Sequence, residues 1–336
     1  MNNEGYLKKI ENTTNLSDNQ KREYITRLDN IKDGFPILLT KYHLSSFFGI
    51  KWYPFKKLLS SINENYTQFR ISKKRGGFRV IDSPNYNLKQ IQQKILQQIL
   101  YKITINDSSF GFAKNRSIID NANQHLSNNF MLGIDLKDFF PSIKSPRVYY
   151  IFRYLCGYCH EVSYSLMLLV TKDESLPQGA PTSPFISNIV AYKLDYRISE
   201  LARKMDFEYT RYADDISISS FTEIPKNIKY TVYSIIHDEG FSANRLKTKS
   251  MSSANYLEVT GIYIYEDDIH VPRKYVKNIE QHLYYIKKFG VIDHKNKANI
   301  RNNFYFEHLQ GCIDYVKRID QSKGLKLQAL FNDISV

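Results

Sequence analysis

The chain has 336 residues, 42% of them hydrophobic, enough to bury a sizeable core and to argue a folded protein of two or three domains. Its 47 Lys and Arg against 34 Asp and Glu leave a net charge of +13, which points to a polyanionic partner, nucleic acid before an anionic membrane surface. No run of about 18 apolar residues, no apolar leader and no lipidation signal occurs, which speaks against a membrane protein and for a cytoplasmic one. Three cysteines, Cys156, Cys159 and Cys312, make a disulfide framework a poor fit.

Residues 1 to about 35 are polar and carry Lys8, Lys9, Lys21, Arg22, Arg27 and Lys32, predicting helices with a basic face that either meets solvent or touches nucleic acid. From Tyr42 to Ile62 apolar residues recur at helical spacing, and Pro54 opens the second of two helices. Between Tyr66 and Pro84 two alternating runs flank a basic turn with Gly76 and Gly77, the pattern of a β-hairpin. Cations on such a hairpin can reach a triphosphate. Arginine suits bidentate phosphate contact, Lys74 or Arg75 could help, and a solubilising turn is a credible reading for Lys73 but less so for Arg79. Leu88, Ile91, Ile95 and Ile99 then form one stripe of an amphipathic helix.

The segment Phe130–Pro141 is an apolar strand that ends in Asp135, an expensive choice for a core position unless the carboxylate has a partner. Val148 to Val170 reads as a mostly apolar helical segment. Within it Cys156-Gly157-Tyr158-Cys159-His160 superficially resembles a zinc or haem half-site, but there is no second cysteine pair and buried thiols are expected. Leu176-Pro177-Gln178-Gly179-Ala180-Pro181 is a turn whose small residues allow close backbone approach to a ligand, followed by a helix from Pro184 to about Ala202.

Thr210 to Ser219 alternates β-formers around Asp214 and Asp215 and reads as a hairpin with two carboxylates at its tip. A solvated turn is the bland explanation. Adjacent acids repel unless a cation lies between them, and with Asp135 alongside, three carboxylates can hold two Mg²⁺ ions roughly 3.5–4 Å apart, the arrangement that activates one oxygen and steadies another. Asn227 to His237 is helical, and Lys247 or, failing it, Lys249 follows in a basic turn. Leu257 to Ile264 is a strand with a glycine break; from Pro272 the chain is helical and basic, with a second helical block from about Asn299 to Asp333.

Asp135-Leu-Lys-Asp-Phe-Phe, Leu176–Pro184 and Tyr212-Ala-Asp-Asp resemble motifs A, B and C of a reverse transcriptase palm, and Asn121-Ala-x-x-His125 with Val259-Thr260-Gly261 resemble regions X and Y of the retron enzymes. The likeness covers about residues 70 to 265. It implies an α+β right-hand polymerase fold: helical fingers extension (1–65), fingers (66–130), palm with an antiparallel sheet backed by helices (131–255, with fingers helices 145–175 interleaved), then primer-grip strand and small helical thumb (256–336).

By the same resemblance Asp135, Asp214 and Asp215 with the position of Leu136 are the ligands of two Mg²⁺, and Lys247 serves departing pyrophosphate. Arg79, Lys74, Gln178, Gly179 and Phe140 bind the incoming dNTP. Phe140, or else its neighbour Phe139, lies beneath the sugar and excludes a 2′-hydroxyl. Arg116, Asn121, His125, Val259, Thr260 and Gly261 contact template or RNA; on physical grounds alone a histidine such as His125 is more often structural than catalytic, and no chemistry is assigned to it. The implied partners are a structured noncoding RNA primed from a 2′-hydroxyl, its branched DNA product (msDNA), an effector or toxin protein and a host RNase H, in bacterial antiphage defence. A group II intron-type or other bacterial reverse transcriptase is the rival within enzymes. A catalytically silent RNA-binding scaffold is the rival outside them.

Overall fold

A computed structural model describes residues 3–72 and 76–334. In chain order the elements are α1 (Asn3–Asn12), α2 (Asp18–Asn30), α3 (Lys41–Phe48), α4 (Trp52–Ser60), β1 (Tyr66–Ser72), β2 (Phe78–Pro84), α5 (Tyr86–Gln98), α6 (Ile118–Asn123), β3 (Phe130–Asp135), α7 (Phe139–Ser142), α8 (Ser145–Tyr150), α9 (His160–Val170), α10 (Ser183–Val190) and α11 (Tyr192–Lys204). They continue as β4 (Glu208–Tyr212), β5 (Asp215–Ser220), α12 (Lys226–Asp238), β6 (Lys249–Ser252), β7 (Leu257–Val259), β8 (Ile262–Tyr265), β9 (Asp268–His270), α13 (Arg273–Phe289), α14 (Val291–Lys297), α15 (Tyr305–Ile319) and α16 (Gln321–Asn332). The chain packs as two units. One comprises Met1–Ala113, Leu136–Arg197 and Tyr233–Ala243; the other comprises Lys114–Asp135, Ile198–Val232 and Asn244–Val336.

In the first unit α9 is the hub, because its sequence is apolar nearly all round: Val162, Leu166, Leu169 and Val170 are fully buried. Gln92 of α5 donates both to the Leu169 carbonyl and to the Tyr66 hydroxyl, at 2.8 Å each, tying the helix to the base of the hairpin. The hairpin is β1 with β2, antiparallel from Tyr66↔Pro84 to Ser72↔Phe78. The single helical segment expected over Val148–Val170 is instead α8, a π-helical turn at Ile151–Leu155, and α9. At the break, Gly157 lies backbone to backbone against Asn30, and a Cβ there would stand 1.8 Å from the Asn30 carbonyl. Cys156 is a buried free thiol, as expected of that stretch, whereas Cys159, also free, is only partly buried.

The second unit holds a four-stranded antiparallel sheet in the order β4-β5-β3-β6 and a three-stranded meander β7-β8-β9. Strand β3 is central and buries Met131, Leu132 and Ile134, which explains its continuous apolar run. Ile118, Ile119 and Ala122 of α6 pack with Leu257, Val259, Ile262 and Ile264 of the meander in one core. A separate core joins Val276, Ile279, Leu283 and Ile286 of α13 to Leu309, Ile313 and Val316 of α15 and Leu327 and Phe331 of α16. These residues recur at steps of three and four, the stripes of amphipathic helices, each burial worth about 1.5–3 kcal/mol before entropy is counted. Among the described residues no helix is long and apolar enough to cross a membrane.

Candidate active site

The site begins with sheet register. Strands β4 and β5 pair from Glu208↔Ser219 to Tyr212↔Asp215, leaving Ala213 and Asp214 as a two-residue turn with Ala213 at φ 58°. That left-handed backbone is costly for alanine, and the turn has a support from below: Nη1 of Arg211 donates to the Ala213 carbonyl at 2.9 Å, from a side chain that is 0% exposed. Sequence reasoning missed Arg211. In an alternating strand it looked like the polar face, and only the three-dimensional packing reveals it as the buried prop of the tip.

Strand β3 pairs with β5 so that Asp135 lies directly opposite Asp215. Their backbone juxtaposition follows from two strands of matching length that both end at their carboxylates. Asp135 is then gripped from one turn of chain. The Asn244 amide N–H donates to the Asp135 carbonyl at 2.7 Å, Nδ2 of Asn244 donates to Oδ2 at 3.2 Å, and the Lys247 ammonium meets Oδ1 at 2.7 Å. Asn244, which spacing arguments did not single out, therefore holds the carboxylate by both backbone and side chain.

Asp215 keeps part of its surface in solvent, yet its carboxyl is pushed up to about 6, first by desolvation among its neighbours, then by the negative charges of Asp214 and Asp135, with Lys247 opposing. Crowded carboxylate oxygens with raised proton affinity are the donor set that a hard divalent cation relieves. The residues fit such an ion in chemistry. Among the described residues no three acidic, histidine or cysteine side chains are gathered as a metal-holding group, and the Asp135 carboxylate is engaged by Lys247 and Asn244. The backbone brings strand end and hairpin tip together; the side chains still have to turn onto a ligand.

In the first unit the nucleotide-binding candidates fall into two groups. Arg79 is exposed on β2, across from Ile71. At the foot of that hairpin the Asp82 N–H donates to the Gln178 carbonyl at 2.8 Å, and the Asp82 carboxylate pairs with Lys172 at 2.6 Å. Gly179 has φ +134°, and a Cβ there would lie 2.7 Å from the Asp82 carbonyl and 2.9 Å from Ile81 Cγ2. The small residue is thus needed for the hairpin's own backbone. Phe139 is buried against Phe241 at 5.6 Å between centroids, whereas Phe140 is half-buried beside Phe112 at 6.1 Å. Of the two rings, Phe140 is the one left facing outward. Leu136 is buried and bridges to Ala243. Lys74 lies outside the described residues.

The candidates for RNA contact are sorted by burial. Arg116 precedes α6 and is partly exposed. His125 is 0% exposed, its Nδ1 2.6 Å from the Ser219 hydroxyl and its Nε2 2.7 Å from that of Thr210, and burial holds its pKa down to about 3. The expected RNA contact of this ring is therefore replaced by a structural one: a neutral imidazole pinning β4 and β5. Asn121 and Val259 are buried as well, which removes their side chains from direct contact with RNA. Thr260 and Gly261, at φ 48° and +83°, form the two-residue turn between β7 and β8 that requires positive φ at both positions.

Residues 71–264 match the reverse transcriptase (RNA-dependent DNA polymerase) family. With a central antiparallel sheet, paired carboxylates at its edge and this match, the chain is an RNA-directed DNA polymerase of the right-hand fold. Its similarity reaches further. It is 31% identical to the retron Ec86 reverse transcriptase of Escherichia coli over 91% of this chain and 92% of that one. It is 33% identical to the retron Ec73 enzyme of the same organism (76% and 84% covered), and 29% identical to the retron Mx65 enzyme of Myxococcus xanthus (78% and 63% covered). The chain belongs to the retron reverse transcriptase family. A solved telomerase from Candida albicans, in complex with a fragment of telomeric RNA, overlays with a TM-score of 0.44 at 11% identity, covering 82% of this chain and 59% of that one.

Proposed function

We propose that this enzyme copies a cognate structured noncoding RNA into DNA from dNTPs, with Asp135, Asp214 and Asp215 holding two Mg²⁺ ions beside the backbone position of Leu136. The register that sets Asp135 against Asp215 is the observation that carries this reading. Bound there, Mg²⁺ supplies Lewis-acid activation of the attacking hydroxyl and neutralises charge on the phosphates. The chain's own residues do the rest. Asn244 orients Asp135. Lys247, freed from Asp135, is placed to steady or protonate pyrophosphate. Arg79, with Lys74, takes the triphosphate, Gln178 and Gly179 shape the seat of the base, and the Phe140 ring excludes a 2′-hydroxyl. Arg116 and the 260–261 turn contact the RNA.

The family's members suggest the finer reading: priming from an RNA 2′-hydroxyl, a branched RNA–DNA product, template removal by a host RNase H, and a place in antiphage defence with an effector protein, in the bacterial cytoplasm. The test has two arms. The purified protein on a primed RNA template with Mg²⁺ should extend with dNTPs, and Phe140→Ala should raise ribonucleotide use relative to deoxyribonucleotide use about tenfold or more. Unchanged discrimination in Phe140→Ala contradicts the role given to that ring. Sequencing the nucleic acid that copurifies from the host should return one abundant short RNA–DNA species; spliced intron RNA would favour the group II-type alternative.

A further inference from the structure

One surface of the first unit is used by none of the roles above. Between α4 and α5 runs a groove of about 770 Å³ whose one wall is apolar, with Phe48, Pro54 and Leu58, and whose other wall is a row of side-chain amides on α5. Asn87, Gln90, Gln93 and Gln97 recur at helical spacing, and none of these amides hydrogen-bonds to another described residue. The contrast on the same helix is Gln92, which faces the core and is fully bonded through its amide N–H groups to Leu169 and Tyr66. Protein takes up both amide donors of the core glutamine, although its Oε1 is buried without a hydrogen-bond partner; the amides along the groove are left to a ligand or to water.

Charge narrows the ligand. From Gly34 to Asn63 there is no Asp or Glu, against lysines at 41, 51, 56 and 57, and α5 likewise has no acid but carries Lys89 and Lys94. Aromatic rings stand open on the same helices, Tyr53 at 78% exposed and Tyr86 at 75%, and on neighbouring α3 Tyr42 is 59% exposed with its ring tilted against Trp52 at 4.4 Å. Cations for phosphates, planar rings for base faces and amides that both donate and accept for base edges are the three parts of single-strand recognition. Paired bases have their edges engaged already, and a duplex cannot lower them into a groove of this size.

We propose that the α4–α5 groove binds an unpaired stretch of RNA, one or two nucleotides seated in it, with base edges on the amides of Gln90 and Gln97 and a neighbouring base stacked on Tyr53. This deepens the reading of the chain as an enzyme of RNA and rests on it.

The test uses the full chain and a fluorescent single-stranded 12-mer RNA containing 4-thiouridine, read by anisotropy and by mapping photo-crosslinked peptides. Crosslinks should fall within residues 41–60 and 86–98. The double variant Gln90→Ala, Gln97→Ala and the single variant Tyr53→Ala should each weaken binding about tenfold, the worth of one lost base stack or edge contact, while Tyr53→Phe binds as the parent does. All three should melt with the parent protein and extend a DNA-primed RNA homopolymer at the parent rate. Crosslinks confined to other segments, or parent-like affinity in the folded double variant, overturn the proposal. So does poly-glutamate crosslinking to residues 41–60 and 86–98 while the RNA neither crosslinks there nor competes with it, since the groove is then an acidic-protein site. If the parent fails to extend any primed RNA yet crosslinks at these helices, the catalytic reading falls and the groove stands.

Discussion

Two tight hairpins of one unit look alike in sequence and serve opposite ends. The turn at Ala213–Asp214 displays carboxylates, and its strained backbone is supported by Arg211 underneath. The turn at Thr260–Gly261 displays no carboxylate; its glycine suits one of the two positive φ values, and Thr260 bears the other at φ 48° as a strained β-branched residue. One signature is chemical, the other conformational, and a short motif alone does not say which. The same division runs through Asn121-Ala-x-x-His125, whose histidine is a buried pin between Thr210 and Ser219.

The sharpest way to break this contrast is to remove the prop. Arg211→Met deletes a buried cation and strands its partners, so we expect a loss of about 3–5 kcal/mol in chemical denaturation and a matching loss of soluble active enzyme. A variant with parent-like stability would show that the tip holds itself. His125→Ala should cost about 2–4 kcal/mol, from a cavity and two unpaired hydroxyls, with RNA affinity of the folded fraction unchanged. If RNA affinity falls while stability does not, the ring is a contact after all. His125 also predicts a pH dependence. Its folded pKa of about 3 lies below the ordinary 6.5, so the unfolded chain takes up the proton first, and stability should fall as pH drops from 6.5 toward 3, less steeply in His125→Gln.

Gly261→Val forces a β-branched residue to φ +83° and should cost about 1–3 kcal/mol, whereas Gly261→Asn should cost under about 1 kcal/mol, both read from melting curves. Equal costs would mean the position matters for something other than backbone. The smallest effect expected is at Asp215. Its folded pKa of about 6 lies above the usual 3.8, so the folded state binds more protons between those values and ionisation works against folding as pH rises through them. Without divalent ions, Asp215→Asn should therefore melt slightly higher than the parent at pH 7.5 and equally at pH 3.5. A lower melting temperature at pH 7.5 would deny the crowding of charge.

Much of this was readable from residues. Alternation of β-formers marked the hairpin at 66–84 and the strand after Asp214, and a continuous apolar run marked the strand that ends at Asp135. What stayed hidden depends on partners distant in sequence. Arg211 is buried only because other elements enclose it; Asn244 reaches Asp135 across 109 positions; and the expected helix over Val148–Val170 is broken where Gly157 meets the Asn30 carbonyl. Gly179 was read as room for a ligand; that its missing Cβ also makes room for the Asp82 carbonyl of β2 depends on a residue far back in the chain.

The central claim is that the carboxylates facing each other across β3 and β5 carry the chemistry. Extension of a primed RNA template with dNTPs and Mg²⁺, compared between the parent and Asp215→Asn at equal folded concentration, addresses it directly. The account predicts a loss of at least about a hundredfold with primer–template binding intact. DNA synthesis by Asp215→Asn at the parent rate would contradict it.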